Sequence, residues 1–448
     1  MLYACGSGTP PPALYSLGGS IDGLVGSRLA LDNNGSISTI GPAANGYTAS
    51  LFTGLPNGTS YNVTVATQPT NPSQTCVVTN GKGTIVDANV TDISVTCTTT
   101  PARFLLAKEP APCFASSTID SSSGILTATS GSPTCYGAGF YWMGILLGFP
   151  EGPMLVDPQG KFLYMTIYGA QAGNFILLFA IDRNSGAPSY VDPPIQAPAG
   201  GTNFLALDPS GSFLFAANSS GLVQTYTVNS VSGKLTPTTT VSVQGSPSGV
   251  SVDPLERFVY VASIDEQIPS APQSILTLSL DSRNGVLADV GSAVSTGASG
   301  NTTVWFAPHP SGKFLYAGLV GSNSFLAYSI NPAQGALTPV SGSPFTAGNG
   351  SAAVDPSGKY LYVANSDAND ISAYAIDAGT GTLTSIGGSP FATGGAPESV
   401  AIEPLGHFAY VSNYSGVYAY QIDAAAGVLT PVSGSPFTFA YGTVAISY

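Results

Sequence analysis

Apolar and polar residues alternate with a period of two along much of this chain. Tyr61-Asn62-Val63-Thr64-Val65 and Ile93-Ser94-Val95-Thr96-Cys97 are clear early examples, and such alternation marks a half-buried β-strand. Turn signals separate these stretches, as at Asn33-Asn34-Gly35, Pro56-Asn57-Gly58 and Asn80-Gly81. Their spacing over residues 14–100 predicts a small immunoglobulin-like β-sandwich. Longer apolar runs such as Phe175 to Ile181 are strand-sized and fall short of the roughly 18 residues that span a bilayer.

Beyond residue 100 the pattern becomes a repeat. An apolar strand leads into an Asp-Pro-x-Gly turn and then a strand ending in Leu-Tyr or its like, as in Asp157-Pro158-Gln159-Gly160-Lys161-Phe162-Leu163-Tyr164. The turn recurs at Asp208-Pro209, Asp253-Pro254, His309-Pro310, Asp355-Pro356 and Glu403-Pro404, six copies spaced 45 to 56 residues apart. A second marker is a polar turn with Gly at Gly124, Gly186, Gly233, Gly285, Gly335, Gly381 and Gly427. A third, Gly-Ser-Pro, follows several of these, as at Gly342 to Phe345 and Gly434 to Phe437.

Six copies against seven has one simple resolution. The missing first strand belongs before Arg103-Phe104-Leu105-Leu106, and Gly442-Thr443-Val444-Ala445-Ile446 at the other end matches the inner strand Glu398-Ser399-Val400-Ala401-Ile402. The last strand should therefore complete the blade that Arg103 begins. Closing the ring in this way removes open sheet edges. The expected fold is all-β: a seven-bladed β-propeller over residues 101–448, an Ig-like sandwich over 14–100, and a tether over 1–13.

Composition narrows the functions. The formal net charge is −13, with 11 Lys and Arg in the chain. No cation cluster exists to hold a phosphate backbone or to seat the body of the protein on an anionic membrane. Five cysteines is an odd number. Met1-Leu2-Tyr3-Ala4-Cys5-Gly6 resembles the lipobox of bacterial lipoproteins, and that resemblance implies lipid on Cys5 as the sole membrane attachment. The remaining four allow three connectivities. The simplest joins Cys76 to Cys97 and Cys113 to Cys135, and it implies export to the cell envelope or beyond. The cysteine spacings match no zinc pattern. Neither a metal nor a cofactor is expected.

Lys359-Tyr360-Leu361-Tyr362-Val363-Ala364-Asn365 and Gly381-Thr382-Leu383-Thr384 resemble the lactonase-type β-propeller family, which includes bacterial 6-phosphogluconolactonases. The resemblance implies the fold. Every residue that carries it is a turn or core element, so it does not by itself carry an activity.

Ligands of a propeller usually sit at one mouth of its channel, built from loops between blades and loops joining second to third strands. Candidate ligand contacts there are Lys108, Asp265, Glu266, Glu398, Trp142 and Tyr414, with Glu109 and Glu151 as candidate bases. Mouth asparagines, in loops such as Asn218-Ser219 and Asn413-Tyr414, would serve as donors and, with tyrosines, as carbohydrate contacts. Lys108 is the cation placed near the mouth, with Arg103 a marginal second, and His309 and His407 are expected on surface turns at the opposite end. A phosphorylated sugar-acid lactone, which wants an Arg clamp, is a poor fit. The long apolar segment Tyr136 to Pro150 is expected to be a lid, a contact with the first domain or a partner surface. The expected function is an exported binding or scaffold module for a small molecule, glycan or protein. The alternative is hydrolysis of an uncharged lactone.

Overall fold

The computed structural model describes residues 12–24, 29–40, 48–68, 74–99, 103–109, 113–136, 140–142, 145–148, 154–169, 173–197, 202–264, 272–299, 303–320, 322, 324–346, 350–438 and 442–447. The chain divides into two compact units, Met1–Ala102 and Arg103–Tyr448. Every regular element among the described residues is a β-strand.

The first unit consists of two four-stranded sheets. One orders Thr48–Pro56, Leu14–Asp22, Val90–Thr99 and Gln74–Thr79, and the other orders Ser36–Ile40, Leu29–Asn33, Ser60–Thr67 and Lys82–Thr84. Leu17, Ile21, Ile93 and Val95 of the first share one core with Leu29, Leu31 and Val63 of the second. Cys76 stands directly opposite Cys97 in the antiparallel ladder, and the two are bonded.

The second unit is a ring of seven antiparallel sheets. From the axis outwards, blade 1 is Val444–Ser447, Phe104–Lys108, Cys113–Ile119 and Leu126–Ala128. Blade 2 is Leu155–Val156, Phe162–Gly169, Gly173–Ile181 and Pro188–Tyr190, and blade 3 is Thr202–Leu207, Phe213–Asn218, Leu222–Val228 and Leu235–Ser242. Blade 4 is Ser246–Val252, Phe258–Ile264, Pro272–Asp281 and Val286–Ser299, and blade 5 is Val304–Pro308, Phe314–Leu319, Ser324–Ile330 and Leu337–Pro339. Blade 6 is Ala352–Val354, Tyr360–Asn365, Asp370–Ile376 and Leu383–Ser385, and blade 7 is Pro397–Ile402, Phe408–Asn413, Gly416–Ile422 and Leu429–Pro431. The seven inner strands neighbour one another in an unbroken circle. The ring closes as its repeats require: Val444 pairs Ala107, Ala445 pairs Leu106, Ile446 pairs Leu105 and Ser447 pairs Phe104.

One contact recurs at every seam. The second strand of each blade starts with an aromatic ring that lies on the third-to-fourth turn glycine of the next blade. Phe104 covers Gly186, Phe162 Gly233, Phe213 Gly285, Phe258 Gly335, Phe314 Gly381, Tyr360 Gly427, and Phe408 Gly124. These glycines have φ between 66 and 74°, and a Cβ on any of them would stand 2.4–2.7 Å from the ring. Both facts demand glycine. The same glycines accept a hydrogen bond from the neighbouring blade. Tyr164, Tyr316, Tyr362 and Tyr410 donate to the carbonyls of Gly233, Gly381, Gly427 and Gly124 at 2.7, 3.0, 2.9 and 3.1 Å. Where the second strand lacks that tyrosine, Ser116 and Thr225 of the third strand donate to Gly186 and Gly285 instead. Blade 4 carries both groups. Thr277 takes the Gly335 carbonyl, and the buried Tyr260 hydroxyl has no partner among the described residues.

The Gly-Ser-Pro marker also has a local cause. The serine hydroxyls of Ser132, Ser343, Ser389 and Ser435 accept the backbone N–H of Ser116, Ala327, Ala373 and Ala419, pinning each return segment to its third strand. In blades 5, 6 and 7 a phenylalanine follows the proline; Phe345, Phe391 and Phe437 fold back beside Gly342, Gly388 and Gly434. Blade 1 has Thr134 there, and the Cys113–Cys135 disulfide, between directly paired residues, ties the segment down in its stead.

The hydroxyl belt makes a testable contrast. Tyr410→Phe leaves a buried Gly124 carbonyl unpaired and should cost about 1–3 kcal/mol in urea unfolding. Tyr260→Phe should leave the midpoint unchanged or raise it. Equal losses for both would remove the belt as a source of stability.

Candidate functional site

Antiparallel order puts the first-to-second and third-to-fourth turns at one end of the ring. The second-to-third loops and the interblade loops are at the other, the mouth. The turn end is saturated with internal bonds. Asp157 accepts the N–H groups of Lys161 and Phe162 at 2.6 Å, Asp208 that of Phe213 at 2.7 Å and Asp355 that of Tyr360 at 2.7 Å, all from buried side chains. Asp253 is held by Arg257 through two bonds of 2.7 and 3.0 Å, and Arg257 reaches on to the Gly312 carbonyl of the next blade.

Two expectations are corrected here. Arg103 is not near the mouth. It precedes its strand at the turn end and pairs with the buried carboxylate of Glu403 at 2.6 Å, across the seam that closes the ring. His407 is exposed as expected, but His309 is buried. Its Nε2 lies 2.8 Å from the Gly358 carbonyl of blade 6, and its Nδ1 accepts the Ser311 N–H, so the neutral ring bearing hydrogen on Nε2 satisfies both partners. Burial pushes the His309 pKa below the ordinary histidine value, with Lys313 adding to that and the Gly358 bond and Asp355 opposing it.

At the mouth the structure joins two of the predicted residues. Glu398 stands at the start of blade 7's inner strand, and Tyr414 in the second-to-third loop of the same blade. The Glu398 carboxylate raises the pKa of the exposed Tyr414 phenol, by hydrogen bonding first and by its charge second. The Glu398 Oε2 also lies against the Cα of Gly442, where a Cβ would be 3.5 Å away. The Lys108 backbone N–H donates to the carbonyl of the following residue, Thr443, at 3.2 Å. Glu398 and Lys108 thus flank one short interblade segment. Glu109 is half-buried, and its N–H closes the loop on the Cys113 carbonyl at 3.0 Å.

Three asparagines at this end are engaged in closing the loops. Asn218 Oδ1 accepts the Leu222 N–H at 2.9 Å, Asn413 bridges the Ser415 N–H and the Thr393 carbonyl, and Asn365 donates to Asp370 and Ser372. All three are buried. Glu151, Asp265, Glu266 and Cys5 lie outside the described residues. Trp142 is described only in its backbone, within a two-stranded hairpin of Phe140–Trp142 and Ile145–Gly148 whose second strand neighbours Phe162–Gly169 of blade 2.

Of the propeller's cations, Arg103, Lys161, Arg183, Lys234, Arg257, Arg283, Lys313 and Lys359 all belong to the turn end, leaving Lys108 alone at the mouth. Acids dominate there: Glu109, Asp367, Asp370 and Glu398 among the described residues. Such a rim repels anions and tolerates neutral ligands. Sequence reasoning did not single out Trp305, a half-buried side chain on blade 5's inner strand; Phe306 beside it packs against the core shared by blades 4 and 5.

The comparisons agree with this architecture. The family described as "Lactonase, 7-bladed beta-propeller" matches residues 152–252 and 339–439. A putative 6-phosphogluconolactonase from Bacteroides fragilis superposes with a TM-score of 0.60 at 17% identity, over 78% of this chain and 99% of that one. The periplasmic gluconolactonase of Pseudomonas aeruginosa does so with a TM-score of 0.58 at 16% identity, over 77% and 99%. A protein from Lactobacillus plantarum gives 0.58 at 19% identity, over 78% and 100%. No curated protein matches the chain in sequence. At these identities the superpositions speak for the fold.

His309 makes the ring sensitive to acid. Its folded pKa is depressed, so the stability it contributes is complete above the unfolded value of about 6.5 and is lost as pH falls through the lower folded value. Urea midpoints at neutral and mildly acidic pH should therefore drop more for the natural protein than for His309→Asn. Parallel drops would show that other groups carry the effect.

Proposed function

Since residues 103–448 form a lactonase-type seven-bladed β-propeller, we propose that the protein is an exported binding module that takes an uncharged, hydroxyl-rich ligand at the channel mouth, with Glu398 and Tyr414 as its polar anchor. The observation that carries this reading is the pairing of those two side chains beside Gly442 on a rim with one cation. A carboxylate accepts ligand hydroxyls, and the phenol offers an aromatic face and an oxygen. A phosphorylated ligand finds no guanidinium at this end among the described residues. Two cross-strand disulfides favour an oxidising compartment, and the periplasmic gluconolactonase among the similar structures is in keeping with export. Lipid at Cys5 belongs to the same proposal; the intact mass of membrane-fraction protein, with Cys5→Ser as control, tests it.

A second reading is favoured by the family match and by the Glu398 carboxylate: hydrolysis of a neutral lactone. Glu398 would take a proton from water as the water oxygen bonds to the lactone carbonyl carbon. The ring C–O bond then breaks, and the proton passes to the departing alkoxide, yielding a hydroxy acid. The acidic rim would repel that carboxylate product.

Calorimetry with gluconolactone, neutral monosaccharides and their phosphorylated counterparts, beside a pH-stat assay, tests both readings. Neutral ligands should bind, phosphorylated ones more weakly, and Glu398→Gln should weaken binding about tenfold, as expected for losing a hydrogen bond to a charged group. Tighter binding of the phosphorylated series would overturn the proposal. Turnover abolished by Glu398→Gln would favour the hydrolase, and no turnover on any lactone would sink it.

A further inference from the structure

We propose that the first unit is a glycan carrier, with an N-linked oligosaccharide on Asn89. The inference goes beyond the mouth-binding reading and rests only on its export clause, since acceptor sites of this kind are used on the surface loops of secreted proteins.

The sequence holds eight Asn-x-Ser/Thr triplets whose middle residue is not proline, the acceptor signal for such a glycan. The fold sorts them. Asn218 and Asn413 are buried, and their amides close loops. Asn301 and Asn349 lie outside the described residues. Asn34, Asn57, Asn62 and Asn89 all belong to the first unit, and all are exposed. Attachment needs more than exposure: the amide nitrogen must be unspent, and the backbone around it must be able to leave the sheet. Asn62 lies within Ser60–Thr67, a strand paired on both sides. The Asn34 Nδ2 donates to the Ser60 carbonyl at 3.0 Å, and the Asn57 Nδ2 donates to the Asp87 carboxylate.

Asn89 meets both conditions. Its Oδ1 accepts the Ser16 N–H at 2.9 Å, and its Nδ2 has no partner among the described residues. Val86, Asp87, Ala88 and Asn89 form an exposed loop between the strands Lys82–Thr84 and Val90–Thr99. The ladder that follows is irregular. Leu17 pairs Val90 and Gly19 pairs Ile93, so Thr91 and Asp92 are passed over, and pairing with Gln74–Thr79 starts at Ser94. The Thr91 hydroxyl is on an exposed side chain. Side chains alternate along an extended segment, so Asp87, Asn89 and Thr91 fall on one side when it is drawn straight. An acid, an amide and a hydroxyl then stand in line for a transferase to read. In the transfer, the Asn89 Nδ2 bonds to the anomeric carbon of an oligosaccharide carried on a polyprenyl diphosphate. The bond from that carbon to the diphosphate oxygen breaks, the diphosphate leaves with the electron pair, and the amide gives up one proton.

Glycopeptide mass spectrometry on the full chain, taken from the envelope fraction of its own cells, tests this. Alkylation without reduction lets the same sample report the state of Cys76–Cys97 and Cys113–Cys135. The peptide holding Asn89 should carry added sugar mass. Asn89→Gln and Thr91→Val should each lose it, and Thr91→Ser should keep it. Thr91→Val retains Asn89 and its bond to Ser16, so loss of sugar there, at an unchanged urea midpoint, reports the acceptor signal and not a disturbed loop. An Asn89 peptide at its bare polypeptide mass overturns the proposal, as does sugar that survives Thr91→Val or sugar confined to Asn34, Asn57 or Asn62. A bare peptide with both disulfides formed leaves the export reading in place. A bare peptide with the same cysteines as free thiols removes export as well.

Discussion

An aromatic ring laid on a glycine of the next blade is the contact on which the rest of the propeller depends. It recurs at all seven seams, from Phe104 on Gly186 round to Phe408 on Gly124. At each, a hydroxyl donated to the same glycine's carbonyl binds the blades in direction as well as in distance. The glycine must adopt a left-handed turn and carry no Cβ, so one residue type serves two demands. The final seam joins chain segments nearly 300 residues apart, and there the Arg103–Glu403 pair and the Val444–Ser447 ladder add to the common contact. Burial of Glu403 would be costly without that cation and the two N–H groups it also accepts.

Structural bonds hold one end of the ring. Buried acids at the turn end are committed to backbone N–H groups or to arginine, and the cations of the propeller gather there with them. The mouth keeps carboxylates beside one lysine, and the inner strands carry no charged residue beyond Glu398.

Some of this was legible residue by residue. The turn glycines, the circular permutation and the local cysteine pairs are short-range or periodic features, so spacing reveals them. The Asp or Asn four residues before each turn glycine, as in Asp120 to Gly124 and Asp377 to Gly381, was an available signal too: its side chain caps the turn N–H groups. Hydrogen bonding from Ser122 and Ser123 holds the Asp120 carboxyl at a pKa of about 2. The candidate site was less legible. Glu398 and Tyr414 could each be assigned to the mouth, but nothing in the spacing joined them. Nor does the sequence disclose that the Asn218 and Asn413 amides close loops.

The sequence by itself determined the number of blades, the element that closes them and the scarcity of cations, because each is a matter of period, count or local turn chemistry. Only the tertiary structure decided which charges meet, that Arg103 turns to Glu403 and Glu398 to Tyr414, and that His309 is buried. Those outcomes depend on how seven sheets face one another round an axis, and pairing between residues distant in the chain leaves no mark in the spacing of either partner.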